Sequence, residues 1–268
     1  MNLKSTAVFS AMMAAAFAVP AQASSSAWHE AQGGRIRLVT SGAPDAQGHL
    51  KGVLQIDLKP GWKTYWRDPG ASGVPPSIDV AANPLLASAV IEFPAPEHHF
   101  DGTSTWAGYD QPVGLPVTFA MRASGKTGLI DASVFLGICE TICVPVQAKL
   151  AVDTDAKSDD AADAVTVAAA WAALPRPASD DFSVRILTSD AKSVTLGVAA
   201  PAGADKAELF LAGSDGYMFG LAKPAVEAGK QVWKADIITR PKDRPSGDGL
   251  HYTLVTPGGA VSGLLPYF

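Results

Sequence analysis

The chain has 268 residues, 26 acidic against 21 basic side chains and a formal net charge of -5. With no basic patch in it, nucleic acid and anionic membrane surfaces are poor partners. Its 25 glycines and 20 prolines cut the chain into short segments, which suits many strands joined by turns better than long helices.

The chain opens on an export signal. Met1 to Lys4 is a short positive start, Ala7 to Val19 an apolar run interrupted only by Ser10, and Ala21-Gln22-Ala23 a small-residue cleavage site before Ser24-Ser25-Ser26. The run is too short for a membrane span, which needs about 20 apolar residues. Residues 1–23 are therefore expected to be removed, and the style of the signal points to a Gram-negative periplasm. Removal takes away only Lys4 and leaves a charge of -6.

From Arg35 the chain alternates as half-buried strands do: Ile36 and Leu38 face one way, Arg35 and Arg37 the other. Val53, Ile56 and Leu58 belong to a second strand. Lys59 to Gly70 is aromatic-rich and bounded by turns. Further strands are expected at Val90–Pro94, Leu115–Met121, Ala132–Gly137 and Val146–Val152, the last with Gln147 and Lys149 on its wet face. Turn signals between these runs suggest an antiparallel sandwich. Asp153 to Asp160 reads as a polar linker. Ala161 to Ala173 has helical spacing, with Val165, Ala168, Ala169 and Ala172 on one face, a start at Ser158 or Asp159 and a stop at Leu174-Pro175. A short helix packed between two modules is expected. From Phe182 the strand signal returns, through Val184, Ile186, Val194, Leu196, Leu209–Leu211, Val232-Trp233, Tyr252–Val255 and Val261. The expected organisation is an all-β chain: a signal at 1–23, a sandwich at 24–153, a linker with a short helix at 154–179, and a second, smaller β module at 180–268.

The two cysteines of the chain, Cys139 and Cys143, lie close together in Gly137-Ile138-Cys139-Glu140-Thr141-Ile142-Cys143-Val144-Pro145. In an oxidising compartment such a pair forms a disulfide. By the chain-entropy account a loop of roughly five residues yields only about 2 kcal/mol of stability, against nearly 5 for a hundred-residue loop. A bridge that stabilises so little fits a redox couple better than a staple; a purely structural bridge and metal binding are the alternatives. Residues four apart in a straight strand are about 13 Å apart, too far for the Cα separation of about 4.4 to 6.8 Å that a disulfide needs. The cysteines must face each other across a turn at Glu140-Thr141-Ile142, at one end of the sandwich. Glu140 beside Cys139 would raise its thiol pKa, which suggests a bridge attacked by others rather than a strong nucleophile.

The ordered segments Trp62-Lys63-Thr64-Tyr65-Trp66-Arg67-Asp68-Pro69-Gly70, Gly73-Val74-Pro75-Pro76, Phe93-Pro94-Ala95-Pro96, Leu115-Pro116-Val117 and Cys139-Glu140-Thr141-Ile142-Cys143-Val144-Pro145 resemble the N-terminal periplasmic domain of the thiol:disulfide interchange protein DsbD. The closer likeness is to its relative from suppressor-of-copper-sensitivity systems, the B type. The resemblance covers residues 28 to 153 well and the second module more loosely. It implies an immunoglobulin-like sandwich whose cysteine pair, here Cys139 and Cys143, relays electrons between thioredoxin-fold proteins. It also implies an aromatic cap over the disulfide. Phe100, in His98-His99-Phe100-Asp101-Gly102, is the cap candidate, with Trp106 and Tyr109 behind it and His99 and Glu140 as tuning residues. The chain carries neither a membrane channel nor a thioredoxin-like domain, so the resemblance implies an oxidoreductase with an external donor: a thioredoxin-fold protein or a membrane reductase in trans. His98 and His99 stand where DsbD has acidic residues before its cap aromatic, which puts a proton-handling role there in doubt. No cofactor is expected.

Two other classes compete. Copper handling and copper tolerance would use Cys139, Cys143 and His98 as ligands, since thiolates bind Cu(I) well and imidazole can join them. A non-catalytic binding or scaffold module would present Trp62, Tyr65 and Trp66 as a contact surface, although Trp62 and Trp66 share one side of a strand by parity, which fits core packing.

Overall fold

The computed structural model describes residues 23–70, 73–100, 102, 104–123, 126–155, 161–201, 206–213 and 216–268. Nearly all of the expected signal, and the expected helix cap at Ser158 or Asp159, lie outside the described residues. The rest is nearly all β.

The first module is an immunoglobulin-like antiparallel sandwich. In one sheet the strands Ala23–Ser25, Gly34–Ser41, His49–Leu58, Val113–Met121 and Leu86–Ile91 lie side by side, and His29–Ala31 folds back on Gly34–Ser41. The facing sheet places Leu129–Cys139 between Cys143–Asp153 and Ser77–Asp79. The alternation seen in the sequence is the alternation of burial. Ile36, Leu38, Leu50 and Leu54 from one sheet meet Ile130, Leu136, Ile138 and Val152 from the other, all fully buried. Each such side chain contributes about 1.5–3 kcal/mol relative to leaving it in water. A third small sheet, Thr64–Tyr65, Thr105–Tyr109 and Glu97–Phe100, stands at the end of the sandwich where the cysteines lie.

The second module has its own core, built on Val194, Leu196, Leu209, Leu254 and Val261. Gly259–Leu265, Leu250–Thr256 and Glu208–Ala212 run in one of its sheets, and Ser183–Ser189, Ser193–Ala199 and Lys230–Thr239 in the other. The strand Glu208–Ala212 serves both modules. Leu209 packs in the second core, while Phe210 and Ala212 pack into the first. Successive side chains of a strand point to opposite faces, so one strand can bind both.

The helix Ala161–Ala172 differs from the expectation in the face it buries and in where it packs. Asp163, Val167 and Ala170 are its buried residues, and Val165 is exposed. Val167 and Ala170 pack on Val39 and Val53 of the first sheet, so the helix covers the sandwich rather than filling the space between modules. Polar anchors select this face. Asp163 pairs with Arg37 at 3.1 Å, and the Trp171 indole donates to the Gly52 carbonyl at 3.1 Å. The apolar pattern alone, in an alanine-rich helix, does not distinguish one side from the other.

Candidate functional site

Strand pairing builds the site. Leu129–Cys139 and Cys143–Asp153 form a hairpin in which Cys139 directly opposes Cys143, with Glu140, Thr141 and Ile142 as the loop. The cysteines are bridged, with Cα atoms 4.1 Å apart. The cysteine strand runs two residues beyond the expected end at Gly137 because a second partner holds it. Lys63 N donates to the Cys139 carbonyl at 2.8 Å, and Cys139 N donates to the Lys63 carbonyl at 2.9 Å. Fully buried Thr64 donates its hydroxyl to the Gly137 carbonyl at 2.9 Å.

The two cysteines differ in access. Cys139 is 1% exposed, whereas Cys143 and the whole loop before it are exposed. Behind the bridge, Tyr65 and Trp106 form a buried cluster with Cys139. The Tyr65 hydroxyl lies 3.2 Å from Cys139 Sγ and 3.2 Å from Cys143 Sγ. Disulfide sulfurs carry no proton, so the hydroxyl is the donor. Trp106 meets Tyr65 edge to face at 5.7 Å, and the Lys63 ammonium sits 4.5 Å over the Trp106 ring.

Tyr65 was legible only as an aromatic of the Trp62–Gly70 segment. The signal that identifies it is parity: in Trp62-Lys63-Thr64-Tyr65-Trp66 it faces away from the two tryptophans. All three aromatics are buried, so they do not form an open contact surface.

Adjacent histidines of the strand Glu97–Phe100 point apart. His98 stacks on Phe210 at 3.9 Å and is 3.0 Å from Glu208 Oε2. Burial pushes its pKa below the ordinary value, against the pull of Glu208. His98 is thus engaged by the second module and is not brought together with the cysteine pair. His99 stacks on Trp106 at 4.1 Å. Its Nε2 is buried with no hydrogen-bond partner among the described residues and lies 3.9 Å from Glu97, while its Nδ1 lies 3.9 Å from Asp110. These three groups are close enough to suggest a metal, but His99 turns a different nitrogen to each carboxylate. Phe100, the cap candidate, stands at the end of this strand with 72% of its surface exposed. The rings that cover the bridge from inside are Tyr65 and Trp106. Tyr109 is turned away, its hydroxyl donating to the Pro94 carbonyl at 2.8 Å. Glu140 is exposed in the hairpin loop.

Similarity to known proteins agrees with this geometry. Residues 38–155 match the family described as thiol:disulfide interchange protein DsbD, N-terminal. The crystal structure of the N-terminal periplasmic domain of ScsB from Proteus mirabilis superposes with a TM-score of 0.71 at 18% identity, covering 91% of this chain and 99% of its own. That coverage takes in most of the second module, so the likeness extends to both modules as a fold. No curated protein matches the chain in sequence. Among the described residues no helix is long and apolar enough to cross a membrane.

Proposed function

We propose that this chain, whose residues 38–155 match the family of DsbD N-terminal domains, is a periplasmic thiol–disulfide interchange module that relays electrons between thioredoxin-fold proteins through Cys139 and Cys143. Exported after loss of residues 1–23, it carries a redox domain at 24–153, a linker at 154–179 and a second module at 180–268. Its donor is a thioredoxin-fold protein, or a membrane reductase in trans. The observation that carries the reading is the unequal exposure of the bridged cysteines, with one hydroxyl donating to the pair. A structural staple needs neither feature.

The chemistry follows from that asymmetry. The thiolate of a reduced partner attacks Cys143 Sγ, the exposed sulfur. The Cys139–Cys143 bond breaks, and its electron pair leaves on Cys139 Sγ. A thiolate left in a buried setting is costly unless a donor meets it; the Tyr65 hydroxyl is that donor. The partner's second thiolate then attacks the partner's own sulfur in the mixed disulfide and releases Cys143; the Cys139 and Cys143 thiolates each take up a proton through water, matching the two protons the partner's thiols gave up. The chain now holds a dithiol, the partner a disulfide, and two electrons have moved. The same steps in reverse reduce the next partner.

The test uses the Cys139→Ser variant with Cys143 carried as its mixed disulfide with thionitrobenzoate. A thioredoxin-fold protein lacking its second active-site cysteine should displace the yellow thiolate and leave a reductant-sensitive adduct through Cys143. The mirror variant, Cys143→Ser loaded at Cys139, should react far more slowly. No adduct from either variant sinks the proposal, and equal rates remove the assignment of Cys143 as the attacked sulfur.

A further inference from the structure

The second module contains no cysteine, yet it touches the parts that surround the bridge. We propose that it positions the redox site: Phe210 and Glu208 hold His98, and His98 holds the small sheet that sets Tyr65 and Trp106 against the disulfide. This inference rests on the thiol–disulfide reading and assigns the second module a place in it.

The small sheet lies between the second module and the bridge. Its strands are Thr64–Tyr65, Thr105–Tyr109 and Glu97–Phe100, of two, five and four residues. Strands this short are marginal alone and depend on packing around them. Tyr65 is on one edge strand and His98 on the other, with Gly108 and Ala107 as their respective partners between. The middle strand lies flush on the first: a Cβ at Gly108 would sit 2.3 Å from the Thr64 carbonyl oxygen. A shift of one edge strand is therefore passed to the other.

Each edge has its own anchor. On the cysteine side, Lys63 pairs with Cys139. On the far side, His98 is stacked on Phe210 at an interplanar angle of 16° and bonded to Glu208. Its neighbour His99 is stacked on Trp106 at 13°, so this one strand grips the second module with one ring and the bridge cluster with the next. Two further contacts tie the second module to the same segment. Trp66, next to Tyr65, meets Phe210 edge to face at 5.9 Å, and Gly213 N donates to Asp68 Oδ2 at 2.7 Å. The second module is thus fastened at both edges of the small sheet, to the segment that follows Tyr65 and to the strand Glu97–Phe100.

The test is kinetic, uses the full chain and needs no protein partner. The rate constant for reduction of the bridge by dithiothreitol is measured for the wild type, His98→Ala, Phe210→Ala, Tyr65→Phe and the His98→Ala/Tyr65→Phe double variant, with thermal unfolding as the fold check. His98→Ala and Phe210→Ala should change the rate by roughly 3- to 30-fold, while His98→Phe, which keeps the stacked ring, should restore most of it. Because His98 acts through Tyr65, its effect should shrink in the Tyr65→Phe background. Where an alanine variant does not fold, His98→Gln, which keeps a polar partner for Glu208 but no stacked ring, takes its place. A wild-type rate in folded His98 variants overturns the proposal, as do effects of His98 and Tyr65 that simply add. Failure of the interchange function is a separate outcome, seen as the absence of any adduct with a thioredoxin-fold protein.

Discussion

The two modules are made of the same material and differ in how they close one end. Both are packs of short strands around a dry apolar core. In the second module, strands pair with strands and, among the described residues, the buried polar side chains are Thr195, Thr253 and Thr256. In the first, the sandwich is interrupted. The segment Trp62–Gly70 and the hairpin of Glu97–Phe100 with Thr105–Tyr109 fold over the end that carries the cysteines, bringing a buried threonine, a tyrosine hydroxyl and a lysine to the bridge. The sandwich hairpin supplies the cysteine pair, and the irregular segments grafted onto its end supply the groups around it. A module without such segments supports chemistry only by holding them in place.

The sharpest way to test that contrast is to remove the sulfurs. Cys139→Ser with Cys143→Ser should abolish interchange altogether while leaving the chain folded. The expected loss of stability is about 2 kcal/mol, from a total of about 5 to 15 for an ordinary domain. Urea unfolding and an exchange assay on the same preparation check both halves. If the double variant is unfolded at room temperature, the bridge is a staple and the contrast between a working end and a supporting module fails.

Next comes the hydroxyl. Tyr65→Phe keeps the ring against Trp106 and removes the donor to the sulfurs. Hydrogen bonds to charged groups are worth about 1.5–3 kcal/mol, so loss of the donor that meets the departing thiolate should slow bridge opening by roughly 10-fold or more. The rate of reduction by a small thiol measures it. An unchanged rate would reduce Tyr65 to packing, and the first module would then resemble the second more than the geometry suggests.

Much of the first module was legible from its sequence because period-2 alternation is a backbone property. Ile36 and Leu38 inward, Arg35 and Arg37 outward, and Cys139 facing Cys143 across a turn all follow from the pleat and from chain reach. What was not legible depended on long-range contacts. No strand was expected at residues 97–100 because His98-His99-Phe100 has no alternation of its own; the strand forms because Thr105–Tyr109 lies beside it. The helix could not be oriented from its alanines, because its direction is chosen by Arg37 and Gly52, far away in the chain. Tyr65 could be named as an aromatic, but its hydroxyl acquires meaning only when Lys63 pairs with Cys139.

Phe100 sharpens the comparison at the surface. The resemblance implied a ring capping the bridge, in which case Phe100→Ala would speed reduction by small thiols. With 72% of the residue exposed, Phe100→Ala should instead leave that rate within about twofold, as surface changes do. Any larger effect should appear only against a protein partner, as a slower reaction. Stopped-flow rates with dithiothreitol and with a reduced thioredoxin-fold protein separate the two. A clear acceleration with dithiothreitol would support the capping role.

The smallest effect concerns the junction between the modules and depends on pH. His98, of the first module, is held below its ordinary value of 6.5 by burial against the second. His251, of the second, is pushed down to about 4, first by partial burial and then by Arg67 of the first module. A histidine depressed in the folded state binds protons more readily when unfolded. Its contribution is therefore complete above pH 6.5, falls as the pH drops, and is gone below the folded value, so the window for His251 runs from 6.5 to about 4. Asp68, at the same junction, is raised by burial. It favours the protonated folded state and so opposes part of the loss as the pH approaches its folded value. His251 is also well exposed, and solvent screening reduces its share to less than about 1 kcal/mol. Urea midpoints across this range should show a shallow decline in stability towards acid, flattened by combining His98→Gln with His251→Gln. An unchanged slope in that double variant would place the acid sensitivity within one of the two cores and not at the junction that joins them.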